Sequence, residues 1–366
     1  MVQNINPKQI GLFDSLKDRG VGNRRRKKKL NHKYNNITSI ENLLFCWQEF
    51  LYGKKKRKDV AEFLLHFSDN ILALHEELKN KTYKHDGYQA FKINDPKPRD
   101  IHKASIKDRL IHHIVYNALY PYFDKKFIFD SYSCRFGKGT HKAINRFRKF
   151  GRKVSKNNTK TCLVLKCDIK KFFANIDHTI LKNFLDENIK NQHILRLLYE
   201  IIDSFNTKNK IDVGLPLGNL TSQIFVNIYM NKFDNFMKRE LKIKFYIRYA
   251  DDFVIFSQDR SFLLELVFKI NIFLLENLKL NLNPNKIFIK TLYSGVDFLG
   301  WVNFPTHRIL RTTTKSRMFR NLEKKFSKEM SASYLGMLSH GNTYKISKKI
   351  NFTPPNQSLG KVRPKR

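Results

Sequence analysis

Phe245-Tyr246-Ile247-Arg248-Tyr249 and Phe253-Val254-Ile255-Phe256 are two β-rich runs that flank Ala250-Asp251-Asp252, and this stretch decides the fold. Aromatic and β-branched residues on both sides of a short acidic turn predict a hairpin. Upstream, Thr161-Cys162-Leu163-Val164-Leu165-Lys166-Cys167 is a third β-rich run ending at Asp168, which predicts a buried strand with an acid at its C-terminal end. Neighbouring strands lie about 5 Å apart, so carboxylates at their ends can share metal ions. Three such carboxylates at one sheet edge are what a two-metal phosphoryl-transfer site requires, with two Mg²⁺ ions about 3.5–4 Å apart. Each acid also has a purely structural explanation, turn chemistry for Asp251-Asp252 and helix capping for Asp168.

Working outward, periodicity predicts helices over Ala61 to Leu78, Asp108 to Phe123, Thr179 to Phe205, Thr221 to Leu241 and Arg260 to about Leu278. Short strands are expected at Lys286 to Thr291 and Val296 to Val302, and a helical segment at Thr314 to Tyr334. Two Pro/Gly punctuations stand out, Asp95-Pro96-Lys97-Pro98-Arg99 as a turn between extended segments and Gly214-Leu215-Pro216-Leu217-Gly218 as a loop before a helix.

The 366 residues include 70 Lys or Arg and 32 Asp or Glu, a net charge of +38 that points to a polyanionic partner. Nucleic acid fits better than a lipid surface, because no basic amphipathic helix with lipid-facing anchors stands out. Met1 to Lys29 holds no apolar run long enough for a secretory signal, and Phe262 to Leu278 is interrupted by Glu265, Lys269 and Glu276, so no membrane span is expected. The scattered Cys46, Cys134, Cys162 and Cys167 argue for free thiols in a reducing, cytoplasmic setting and against a zinc site. The run Arg24 to Lys29 reads equally as a solvated arm or as a phosphate-contacting one.

The order of these motifs resembles the reverse transcriptases, from about Lys92 to His340. Cys167-Asp168-Ile169-Lys170-Lys171-Phe172-Phe173-Ala174-Asn175-Ile176-Asp177-His178 resembles the first catalytic motif of that family, and Tyr249-Ala250-Asp251-Asp252 its Tyr-x-Asp-Asp box. Gly214 to Gln223 is similar to the loop and helix that align template with incoming nucleotide. The resemblance implies an α+β right-hand polymerase fold: fingers, a palm of antiparallel sheet packed on helices, and a short helical thumb. It divides the chain into a basic arm (1–40), fingers (41–158), palm (159–304) and thumb with basic tail (305–366), with no endonuclease module after Arg311.

By the same resemblance, Asp168, Asp251 and Asp252, with Ile169 beside them, would hold two Mg²⁺ ions, and Lys286 would protonate leaving pyrophosphate. Lys97 and Arg99 would grip the triphosphate. Leu217, Gly218 and Gln223 would line the nascent pair, and Phe298, Leu299 and Gly300 would form the primer grip. Phe173 would pack under the incoming sugar and exclude a 2′-hydroxyl, whereas RNA-dependent RNA polymerases usually carry a polar residue there and Gly-Asp-Asp in the hairpin. Ordinary structural roles stay open for Lys97, Arg99 and Lys286 as surface cations and for Phe173 as core.

Within the family, Leu217 where Gln is usual and Ser222-Gln223 where Ser-Pro is usual are similar to diversity-generating retroelement enzymes. So are Arg109, the stretch Arg135 to His141, and Phe298-Leu299-Gly300 to Pro305-Thr306-His307. That subtype implies cDNA synthesis from a template RNA with dNTPs, errors opposite adenine linked to Leu217 and Arg99, and a small basic accessory protein. A retron, intron or antiviral-defence reverse transcriptase and an inactive RNA-binding scaffold are the rival expectations.

Overall fold

The computed structural model describes residues 29–94, 98–324 and 326–351. Helices α1 (Tyr34–Ile37), α2 (Ile40–Leu51), α3 (Lys58–Leu65) and α4 (Phe67–Lys79) come first, then the hairpin β1 (Gln89–Ile93) and β2 (Arg99–Lys103). Helices α5 (Ile106–Asp124) and α6 (Thr140–Val154) lead into β3 (Leu163–Asp168), and α7 (His178–Asp186), α8 (Gln192–Asp203) and α9 (Leu220–Asn235) follow it. The hairpin β4 (Tyr246–Tyr249) and β5 (Asp252–Ser257), helix α10 (Arg260–Leu278) and β6 (Phe288–Thr291) complete the central part. A small sheet of β7 (Val296–Phe298), β8 (Trp301–Asn303) and β9 (Arg308–Leu310) precedes α11 (Thr312–Lys324), α12 (Lys328–Leu338) and α13 (Tyr344–Asn351).

The central sheet is antiparallel, in the order β4-β5-β3-β6. Both of its faces are covered, which is why β3 is buried along its whole length. Strand alternation sorts the side chains. Leu163, Leu165, Cys167, Tyr246, Phe253 and Ile255 enter one core with α5, α7, α8, α9 and α10, while Val164, Ile247, Val254 and Phe256 enter a second with α6, the small sheet and the last three helices. Helix starts are written in the sequence as capping side chains. Ser105 accepts from Asp108 N, Asp177 from Ile180 N, and Asp259 from Phe262 N.

Several sequence expectations are corrected. The helix expected over Ala61 to Leu78 is broken at His66, whose φ of −120° and ψ of 39° are not helical, and Asn70 Nδ2 donates to the freed Phe63 carbonyl at 3.1 Å. The stretch Thr179 to Phe205 is two helices, because Asn191 caps α8 and the intervening backbone bonds to Leu30 (Leu30 N to Asn188 O 2.8 Å, Lys190 N to Leu30 O 3.3 Å). Phe236–Glu240 forms a π-helical turn after α9. Val296 to Val302 is a hairpin and not one strand, turning through Leu299 and Gly300 with φ of +51° and +89°. Lys286 belongs to the 3₁₀ turn Pro284–Lys286 and not to β6, and Ser327 caps a new helix inside the segment Thr314 to Tyr334. Arg24 to Lys28, Lys97 and the last fifteen residues lie outside the described residues.

Candidate active site

The register of the sheet brings the three acids together. Asp168, the last residue of β3, is the pairing partner of Asp252, the first residue of β5, and Ile169 N donates to Asp251 O at 3.3 Å. Directly paired antiparallel residues have Cα atoms about 4.5–5.5 Å apart, so the carboxylates share one edge. The turn between β4 and β5 has only two residues, Ala250 and Asp251, with Ala250 left-handed at φ +55°.

Two lysines offset part of this negative charge. Both oxygens of Asp168 accept from Lys286 Nζ, at 2.8 and 2.7 Å, and Lys166 Nζ lies 3.6 Å from Asp252 Oδ1. Asn283 fixes the other side of Asp168, its N donating to Asp168 O at 2.8 Å and its Nδ2 to Oδ1 at 3.4 Å. Among the described residues no cation is paired directly with Asp251. Burial pushes its carboxyl up to about 6, the neighbouring Asp252 and Asp168 push the same way, and the more distant charge of Lys286 pulls it down. Burial also raises Asp252, against the pull of Lys166.

Beneath the turn sits Arg248, fully buried. Its Nε and Nη2 fork onto Asp234 at 2.8 and 2.6 Å, Nη2 also donates to Ser131 Oγ at 3.1 Å, and Nη1 donates to Ala250 O at 3.1 Å. Asp234 also accepts from Tyr246 OH at 2.8 Å. The acidic turn is thus tied through one carbonyl to a buried ion pair on α9.

The remaining predicted residues surround this edge. Phe172 is core at 3% exposure, leaving Phe173 half-buried, and Leu215 N donates to Phe173 O at 2.8 Å, joining the Gly/Pro loop to the turn after β3. Leu217 O accepts from His102 N at 3.1 Å and Asn219 Nδ2 donates to His102 O at 3.0 Å, which docks that loop on the strand carrying the exposed Arg99. At Gly218 (φ +108°) a Cβ would come within 3.0 Å of Ile101 Cγ2. Gln223 is half-buried on the first turn of α9. Phe298 is buried against Phe147, ring centroids 5.5 Å apart, and Gly300 O accepts from Arg311 N at 3.0 Å.

Sequence reasoning missed Lys166, Arg248, Asp234 and Arg311, whose charge lowers the carboxyl of Asp252. A signal existed for two of them: Lys166 and Arg248 are cations inside otherwise apolar or aromatic strands, where a charge must have a partner.

The model of the family "Reverse transcriptase (RNA-dependent DNA polymerase)" matches residues 79–303, and the chain belongs to that family. Its α+β architecture is accordingly the right-hand polymerase fold. Among relatives, the COX1/OXI3 intron 2 protein of Saccharomyces cerevisiae is 23% identical over 276 residues, covering 59% of this chain and 30% of that protein. Protein YkfC of Escherichia coli is 24% identical over 285 residues, covering 66% and 72%. The group II intron-encoded protein LtrA of Lactococcus lactis is 27% identical over 185 residues, covering 48% and 29%. The chain therefore spans less than a third of the length of the two intron proteins.

Proposed function

We propose that the chain is an RNA-directed DNA polymerase that extends a 3′ end on a template RNA by two-metal nucleotidyl transfer. The observation that carries this reading is the register Asp168–Asp252, with Asp251 in the adjoining two-residue turn. The donor set fits divalent ions: it consists of hard carboxylate and carbonyl oxygens from Asp168, Asp251, Asp252 and Ile169, gathered at one sheet edge. Asp168, Asp251 and Asp252, with the backbone of Ile169, would hold two Mg²⁺ ions. Ions there stabilise the attacking 3′ oxygen and the leaving pyrophosphate.

Each residue then has a task. Lys286 is half-exposed and free to leave Asp168, so its ammonium can deliver a proton to pyrophosphate. Lys97 and Arg99 grip the triphosphate, and Phe173, half-buried at the margin of the core beside Phe172, rejects a ribose 2′-hydroxyl. Leu217, Gly218 and Gln223 face the nascent pair, and Phe298, Leu299 and Gly300 steady the primer. The divisions 1–40, 41–158, 159–304 and 305–366 serve as basic arm, fingers, palm and thumb with tail. A charge of +38 supplies the sequence-independent grip on template and hybrid phosphates.

The finer reading is a diversity-generating enzyme, error-prone at adenines and working with a small basic accessory protein. It rests on Leu217: an apolar side chain in place of an amide removes a polar contact near the nascent pair. A second reading, an intron or retron type, draws support from the intron-encoded relatives, and an antiviral-defence enzyme is the third. Primer extension on RNA with dNTPs and Mg²⁺ tests the activity. Asp251→Ala abolishes synthesis while RNA binding persists, and equal synthesis by both chains ends the proposal. Errors concentrated opposite adenine and reduced in Leu217→Gln support the diversifying reading, whereas a uniform, low error rate favours the intron type.

A further inference from the structure

Away from the sheet edge, three acceptor groups from three chain segments converge, and the one ammonium paired there among the described residues, Lys182 Nζ, sits on the two oxygens of Asp203 at 2.6 and 2.7 Å. His178 opens α7, Asp203 ends α8, and Asp212 lies in the loop that runs to Gly214. One donor atom from each lies within 4.8 Å of the others. The imidazole is buried, its side chain 1% exposed, and Nε2 sits 2.7 Å from Gly214 O. A carbonyl only accepts, so Nε2 carries a proton, and in its neutral form the ring presents a lone pair at Nδ1. That Nδ1 has no hydrogen-bond partner and lies 3.6 Å from Asp203 Oδ1, another acceptor. A buried lone pair facing a carboxylate oxygen is unfavourable unless positive charge lies between them.

We propose that His178, Asp203 and Asp212 form a binding site for one borderline divalent transition-metal ion of the Zn²⁺ type. One imidazole and two carboxylates, with a water completing the shell, are a Zn²⁺ donor set, whereas Mg²⁺ prefers oxygen throughout. The backbone carbonyl on Nε2 is the outer partner that fixes the tautomer and orientation of a ligating histidine. Entry is open, since Asp203 and Asp212 are both exposed. The ammonium of Lys182, 2.6 Å from Asp203 Oδ1 and partly exposed, withdraws to solvent as the ion enters. A bound ion joins the start of α7 and the end of α8 to the segment that leads into Gly214–Gly218, and so stiffens the loop carrying Leu217. The site uses none of the residues assigned to nucleotidyl transfer and stands or falls without that reading.

The test uses the full chain, stripped of metal and held in excess Mg²⁺. Co²⁺ is titrated by its visible absorption and Zn²⁺ by calorimetry and thermal unfolding. One ion per chain is expected, with a raised unfolding temperature. Asp212→Asn, a change on an exposed loop, weakens binding at least tenfold, and His178→Gln abolishes it. Asp251→Asn leaves it unchanged. Equal Co²⁺ affinity in wild type and Asp212→Asn overturns the site. So does a His178 ring that nuclear magnetic resonance shows as an imidazolium undisturbed by Zn²⁺, because then Asp203 is simply its ion-pair partner.

Discussion

Arg248 is where the stability of the fold and the placement of the acidic turn meet, and the two are separable by mutation. Arg248→Met removes the fork onto Asp234 (2.8 and 2.6 Å) and the bonds to Ser131 Oγ and Ala250 O (both 3.1 Å). Asp234, itself fully buried, keeps only the hydroxyl of Tyr246 of these strong donors. Breaking a buried pair on one side costs about 3–5 kcal/mol, a large part of the 5–15 kcal/mol that holds a typical domain together. Urea unfolding of Arg248→Met and of Asp234→Leu is expected to show losses of this size. Arg248→Met/Asp234→Leu leaves no stranded charge and is expected to recover to within about 2 kcal/mol of wild type. Ala250 O still lacks its donor in the double variant, and a lost bond of about 1–3 kcal/mol slows extension by about 5- to 160-fold. Two results refute the reasoning: a cost below about 1 kcal/mol for Arg248→Met, or wild-type extension by the stable double variant.

Three further outcomes follow from the same geometry. In the folded, metal-free chain the carboxyl of Asp251 ionises only at about 6, against 3.8 as its ordinary value. The fold therefore binds more protons there than the unfolded chain, and stability falls as pH rises from about 4 to about 6. Asp251→Asn is expected to flatten that slope and, after allowance for the partial exposure of the group, to stabilise the metal-free chain by about 1–2 kcal/mol at pH 7 while abolishing synthesis. Calorimetric scans across that window check it, and a steeper slope in the variant counts against the assignment. Lys286→Met removes the ammonium that competes for both oxygens of Asp168, so Mg²⁺ half-saturation is expected to fall severalfold even as the maximal extension rate drops. Weaker Mg²⁺ dependence on both counts argues that Lys286 is structural. Phe173→Val opens space under the sugar, and single-nucleotide extension is expected to show at least a tenfold gain in ribonucleotide use relative to dNTP, with a modest loss of stability because Phe173 packs partly against the core while Phe172 stays in place.

What the sequence revealed and what it hid divide along a physical line. The strand ending at Asp168 and the hairpin around Asp251 are legible because both are short apolar runs with turn chemistry at their ends, and that information is local. The breaks at His66 and between Asn188 and Asn191 were hidden because the apolar period continues across them. The second break forms where the backbone finds Leu30, more than 150 residues away, a partner that no window of sequence displays. The turn at Leu299-Gly300 is a different case: a hairpin there was implied only by the resemblance of Phe298 to Trp301 to a primer grip, since Leu carries no turn signal and yet sits in the left-handed region at φ +51°. The ion pair of Arg248 with Asp234 was visible only as an arginine out of place, since its partner lies on another element.

Several departures from local rule meet at the acidic edge of the sheet. Within a few residues of the sheet edge lie a left-handed alanine, a buried arginine, a lysine on a buried strand and a carboxyl raised toward neutrality. Each costs stability by itself, of order 1–3 kcal/mol for strain or an imperfectly paired charge. A sequence shaped by folding alone would replace them with a Gly turn and apolar pairs. The cost is borne by the two cores on either face of the sheet, which bury β3 from end to end and leave its last residue where β5 begins. Polar strain is thus held at an edge that the packing keeps rigid, which is what a site that must fix carboxylates to a fraction of an ångström requires. The same logic separates Asp251 from the exposed acids of α8 and its loop: the former is fixed from below by Arg248 through Ala250 O, while Asp203 and Asp212 stand exposed around the buried ring of His178, with the solvent-facing ammonium of Lys182 on Asp203. Rigid placement suits a group that must meet a reacting phosphate, and loose placement suits donors that close on an ion after it arrives.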